Sequence, residues 1–171
     1  MYKKIFKFLI IKIILTLSLL KTSHSEIVNQ IKIFGNDRIS KETILMFSDI
    51  QIKEDFDAES LNKILKNLYN TSFFKDISLK IENNILTINV IENPIIQSIK
   101  YEGIKANKIK ELIENNTKLK SRSSYDEFIL NEDKEKIQSL LKDLGYYFPV
   151  IDIFTEKLDD NKINLTYEIK L

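Results

Sequence analysis

Cysteine is absent from the 171 residues, glycine occurs three times, proline twice and histidine once. Without cysteine there are no disulfide staples, no thiolate nucleophiles and no cysteine-based zinc sites. The lone histidine, His24, lies in a segment expected to be removed, so the remaining chain is read as lacking imidazole as well. Ser-His-Asp and Cys-His systems are thereby excluded. No glycine-rich phosphate loop is present. Two acidic pairs, Asp55 with Asp57 and Asp159 with Asp160, are better explained as a helix cap and a hairpin tip, because neighbouring carboxylates without a shaped pocket are weak grounds for acid–base chemistry. The run Ser121-Arg122-Ser123-Ser124 reads as a polar loop with no partner base. The expectation is a protein that is not an enzyme and uses no cofactor and no metal.

With 43% hydrophobic and 30% charged residues, the composition is that of a folding chain. Its first 25 residues differ from the rest. Lys3, Lys4 and Lys7 precede an apolar run from Phe8 to Leu20, and Ser23 and Ser25 supply the small residues of a cleavage site before Glu26. An uncleaved anchor is the alternative, but the run is interrupted by Lys12 and falls short of the roughly 18 to 20 residues that span a bilayer. Residues 1–25 are therefore read as a signal peptide cut between Ser25 and Glu26, and the remainder as exported. Removing its five lysines leaves 21 basic against 25 acidic residues, so nucleic acid is not an expected partner.

From Glu26 onward one pattern occurs twice. Ile31-Lys32-Ile33-Phe34-Gly35 matches Ile99-Lys100-Tyr101-Glu102-Gly103 at a shift of 68 residues, and Leu68–Ile81 faces Leu141–Phe154 at a shift of 73. Two small tandem modules are implied, at 26–93 and 94–171. Each reads as strand, helix, helix, strand, strand. In the first, Ile27, Ile31 and Ile33 are expected on one strand face, with Gly35-Asn36 as a turn. Ser40 is the expected N-cap of a short helix through Phe47, and Asp57 that of a longer one. Leu61, Ile64, Leu65, Leu68 and Tyr69 stripe the longer helix, and Phe56 is a candidate staple on Leu61. Ile77, Leu79 and Ile81 alternate with polar residues, Asn83-Asn84 turns the chain, and Leu86, Ile88 and Val90 return it. In the second module Ile137, Leu140, Leu141 and Leu144 form the stripe, and Gly145 stops the helix. The second hairpin turns around Asp159-Asp160-Asn161. Phe73-Phe74 and Tyr146-Tyr147 are expected to plug the helix–sheet cores.

The stretches "IKIFGNDRI" (Ile31–Ile39), "LYNTSFFKDISLKI" (Leu68–Ile81), "VIENPIIQSIKYEG" (Val90–Gly103) and "GYYFPV" (Gly145–Val150) resemble, in order, signatures of POTRA domains, most closely those of the BamA family of outer-membrane barrel-assembly factors. The departures are Ser72, where the family usually has Gly, and Ile104, where the second module usually has Asn. The resemblance implies an α+β fold of two tandem POTRA modules, each β-α-α-β-β with a three-stranded mixed sheet on two helices. It also implies that the strand after the long helix is a free edge. An unpaired edge can accept an extended chain as a further strand. Lys75, Asp76, Ile77, Ser78, Leu79, Lys80 and Ile81 in the first module become candidate client-binding residues. Val150, Ile151, Asp152, Ile153 and Phe154 are their counterparts in the second. Glu92, Asn93 and Pro94 become an interdomain hinge. Implied partners are unfolded outer-membrane proteins, accessory lipoproteins of the assembly complex, and the outer membrane through a C-terminal barrel that this sequence does not include. The implied location is the periplasmic face of a Gram-negative outer membrane, with a two-partner-secretion-type polypeptide transporter as the alternative family role.

Overall fold

The computed structural model describes residues 26–50 and 55–171; the expected signal peptide, with Ser25, lies outside them. The first module comprises β1 (Glu26–Ile27), β2 (Gln30–Phe34), α1 (Lys41–Ser48), β3 (Asp55–Phe56), α2 (Ala58–Tyr69), β4 (Phe74–Glu82) and β5 (Ile85–Glu92). The second comprises β6 (Ile95–Glu102), α3 (Asn107–Asn116), α4 (Glu127–Asp143), β7 (Val150–Leu158) and β8 (Lys162–Lys170). Both sheets are three-stranded and mixed, ordered β2-β5-β4 and β6-β8-β7. The last strand of each module is central; it pairs in parallel with β2 or β6 and antiparallel with its hairpin partner. The expected α+β arrangement is thus built twice.

Local chemistry sets these elements. Ser40 Oγ accepts the Thr43 N–H at 3.1 Å at the start of α1. Asp57 accepts both the N–H (2.8 Å) and the hydroxyl (2.7 Å) of Ser60 at the start of α2. The backbone bond from Ser60 is the main reason the Asp57 carboxyl is held below its ordinary pKa. Asn83 and Asn84 both adopt positive φ, 51° and 62°, as a tight hairpin turn of this hand requires. Gly145, at φ 94°, stands just past the end of α4 and donates its N–H to Lys142 O.

Four sequence expectations change. Ile27 is exposed and pairs with Asp55 in a separate β1–β3 ribbon, while Val28 takes the core position, because the chain breaks between β1 and β2. On α4 the buried stripe is Leu130, Asp133, Ile137 and Leu141, and Leu144 is exposed at the helix end. Asp133 is tolerated there because it accepts the Lys118 and Leu119 N–H groups at 2.6 and 2.8 Å. Phe74 is buried, and Phe73 packs edge-to-face between it and Phe47. Tyr146 packs on the second core, but Tyr147 points to solvent and does not plug it. The Ser121–Ser124 run is more than a loop. Arg122 N–H reaches Ile96 O, Ile96 N–H reaches Ser123 O, and Ser124 bridges Ile95, so the run covers the start of β6.

Candidate functional site

A three-stranded sheet has two edges, and these modules treat them unequally. β2 is five residues long, and β6, of eight, has its first residues occupied by the 122–124 segment. The opposite edges, β4 and β7, are nine residues each and have no strand beyond them among the described residues. All the candidate client-binding residues lie on these two strands: Lys75–Ile81 on β4 and Val150–Phe154 on β7.

Hydrogen-bond geometry tells which backbone groups face outward. Ile77 donates its N–H to Tyr69 Oη at 3.1 Å and not to the central strand. Antiparallel ladders alternate, so Leu79 and Ile81 also direct their N–H and C=O away from β5. These residues turn their side chains inward, while Lys75, Asp76, Ser78 and Lys80 are exposed. β7 occupies the equivalent edge of an identically ordered sheet, and Ile151 and Ile153 are its inward side chains, opposite Ile169 and Tyr167. By the same chirality their backbone groups face outward too. On the outer face, Asp152 and Lys170 pair at 2.8 Å across the ladder. That hydrogen bond is the leading cause of the lowered Asp152 pKa and the raised Lys170 pKa.

The Tyr69 contact was not read from the sequence. Its cause is a bulge between Phe74 and Asp76, which turns both Phe74 and Ile77 inward and leaves Ile77 N–H within reach of the end of α2. A buried residue recurring at three positions inside a strand was the available signal.

Glu92, Asn93 and Pro94 are bonded to both modules. Glu92 is buried; one carboxylate oxygen accepts the Arg38 and Ile39 N–H groups at 3.0 and 2.8 Å, and the other faces Arg38 Nε at 3.5 Å. Asn93 bonds back to Phe73 O and Ser72 O. From the second module, Asn161 Nδ2 donates to Glu92 O at 3.3 Å and Tyr125 N–H to Pro94 O at 2.8 Å. Arg38 spans the joint, its guanidinium 6.0 Å from the Phe73 ring centre and 3.4 Å from Ser124 Oγ. Of the expected cleavage pair, Glu26 begins β1. Among the described residues no acidic or histidine group has the geometry of a metal site, and no helix is long and apolar enough to cross a membrane.

The family model described as "POTRA: Surface antigen variable number repeat" matches residues 26–93 and again 94–170. The chain is 23% identical over 157 residues to the outer membrane protein assembly factor BamA of Neorickettsia risticii, covering 84% of this chain and 19% of that protein. To BamA of Neisseria meningitidis it is 27% identical over 78 residues, 46% of this chain and 10% of that one. Among solved structures, the N-terminal domain of Omp85 from Thermosynechococcus elongatus superposes with a TM-score of 0.60 at 14% identity, over 86% of this chain and 63% of the other. The POTRA1-2 region of the periplasmic domain of Omp85 from Anabaena superposes at 0.56 and 12% identity, over 86% and 96%.

Proposed function

The chain belongs to the POTRA family, as a two-module region of the Omp85/BamA type, and from that premise we propose that it is a periplasmic receiving arm for unfolded outer-membrane proteins. It acts as a binding scaffold without covalent chemistry or cofactor. An extended segment of a client adds to β4 or β7 as a fourth strand, taking up the outward groups of Ile77, Leu79, Ile81, Ile151 and Ile153. Main-chain pairing tolerates sequence variety, which suits many different clients. Lys75, Asp76, Ser78 and Lys80 keep the β4 edge soluble between clients. The observation that carries this reading is the strand order, in which β4 and β7, the two longest outer strands, have no neighbour on their outer side among the described residues. Glu92, Asn93 and Pro94 set the angle between the modules. Accessory lipoproteins of the assembly machinery are the second class of partner, and the exposed Tyr147 and Phe148 are the first residues to substitute in testing them.

Proline tests the edges. At a position whose N–H faces outward, proline leaves the internal ladder intact but removes the donor an added strand needs. Leu79→Pro and Ile153→Pro, combined, are expected to lower the affinity of residues 26–171 for a fluorescent unfolded barrel-strand peptide by at least tenfold, read by anisotropy, with the far-ultraviolet dichroism of the fold retained. Unchanged affinity in a folded double variant would remove edge pairing from the account.

A further inference from the structure

A cleft of about 580 Å³ lies at the junction of the modules, walled by Phe74 and Lys75 on one side and by Thr155 and Lys157 on the other. The first pair begins β4 and the second belongs to the last part of β7. β7 therefore runs toward the cleft and β4 runs away from it. The two edges share one polarity along the molecule. A polypeptide pairing antiparallel with β4 passes from the Glu82 end to Phe74 and arrives at the cleft. Continuing without reversal, it meets the Leu158 end of β7 and runs antiparallel to Val150. Opposed edges would force a single chain to pair parallel with one and antiparallel with the other.

The crossing point has its own chemistry. Tyr69, Phe74, Pro94 and Phe128 give it apolar walls, and Phe128 is 73% exposed although α4 could have carried a polar residue there. Lys75 and Lys157 are balanced by Asp126 and Glu127, so the cleft selects no charge. Tyr69, which holds the first outward N–H of β4, stands in the same wall. We propose that one extended polypeptide of alternating pattern pairs with β4 and β7 in a single pass and seats an aromatic or long aliphatic side chain in this cleft, displacing the Tyr69 hydroxyl from Ile77. The proposal rests on the edge-pairing reading and adds the continuity of the track and the residue it selects.

Residues 26–171 contain no cysteine, which makes cross-linking clean. Lys80→Cys and Phe154→Cys, singly and together, place thiols at exposed positions on the two edges. The probe is a synthetic peptide of about 20 residues, long enough for both nine-residue strands and the crossing. It alternates apolar and polar residues, with phenylalanine at its centre and a cysteine near each end. Each single variant is expected to form a disulfide with the peptide, and the double variant a 1:1 product linked at both ends. Exchanging the central phenylalanine for aspartate, or introducing Phe128→Ala in the protein, lowers the doubly linked yield roughly tenfold, the effect of losing one buried aromatic side chain, while sparing the single links. Two peptides on one double variant, disulfides between protein chains instead of to the peptide, or indifference to the central residue would each overturn the continuous track. Absence of a link in either single variant would instead remove edge pairing itself, so the two failures are distinguishable.

Discussion

Gly35 and Gly103 directly follow β2 and β6, at φ 79° and 85°, where a Cβ would collide with the carbonyl oxygens of Val90 and Ile169. The obstruction is backbone and cannot swing aside. Gly35→Ala is expected to destabilise the first module by more than about 1 kcal/mol, read as a lower melting temperature, because strain and collision add. Ser72 is the reverse case. It sits at φ 57°, a conformation that glycine adopts without strain and serine does not. Ser72→Gly relieves roughly 1 kcal/mol of strain and gives part of it back as unfolded-state entropy, so a small rise in melting temperature is expected. Asp57 supplies a pH dependence. Its pKa in the fold lies below the ordinary 3.8, so its contribution is present above that value and is lost as pH falls further through the folded pKa. Acid titration of Asp57→Asn, which keeps a capping side chain without the charge, should show a shallower loss of stability below pH 3.8. The caps and turns were legible because each depends on one or two neighbouring residues. Ile104 was legible only as a departure from Asn. Asn36, its counterpart, bonds to Ile39 O, whereas Ile104 is buried in the second core.

At the scale of elements, periodicity identified the strands but not their irregularities. Bulges between Phe74 and Asp76 in β4, and between Ile96 and Ser98 in β6, shift the inward face by one residue, and strict alternation does not anticipate them. The Tyr69 contact arises from the first of these. Tyr69→Phe keeps the ring and removes the acceptor. Hydrogen exchange at Ile77 should then speed up by roughly an order of magnitude, and peptide affinity for β4 should rise, since no internal partner has to be displaced. The cover over β6 was missed for a different reason. Ser121–Ser124 has no strand periodicity, and its backbone, not its side chains, pairs with Ile95 and Ile96.

For the whole molecule, the decisive piece is the connection. Glu92-Asn93-Pro94 was readable as a short linker, and shortness alone limits the angle between modules. The bonds that reach the linker from the second module or cross the junction involve Arg38, Tyr125 and Asn161, which lie far from it in the chain, so no local pattern announced them. Glu92→Ala leaves two N–H groups and Arg38 without their acceptor; a loss of roughly 2 to 4 kcal/mol is expected, with residual dipolar couplings reporting looser coupling between the modules. In the proposed reading these contacts matter because they line up β4 and β7 across the cleft, where open edges would receive a chain. The direct measurement is amide hydrogen exchange of residues 26–171, monitored by NMR, as an unfolded peptide from an outer-membrane barrel strand is added. Edge pairing predicts that exchange slows at Ile77, Leu79, Ile81, Ile151 and Ile153, while the alternate amides of Ser78, Lys80 and Asp152 stay as they were. Slowing confined to β2 and β6, or none on any strand at saturating peptide, would contradict it.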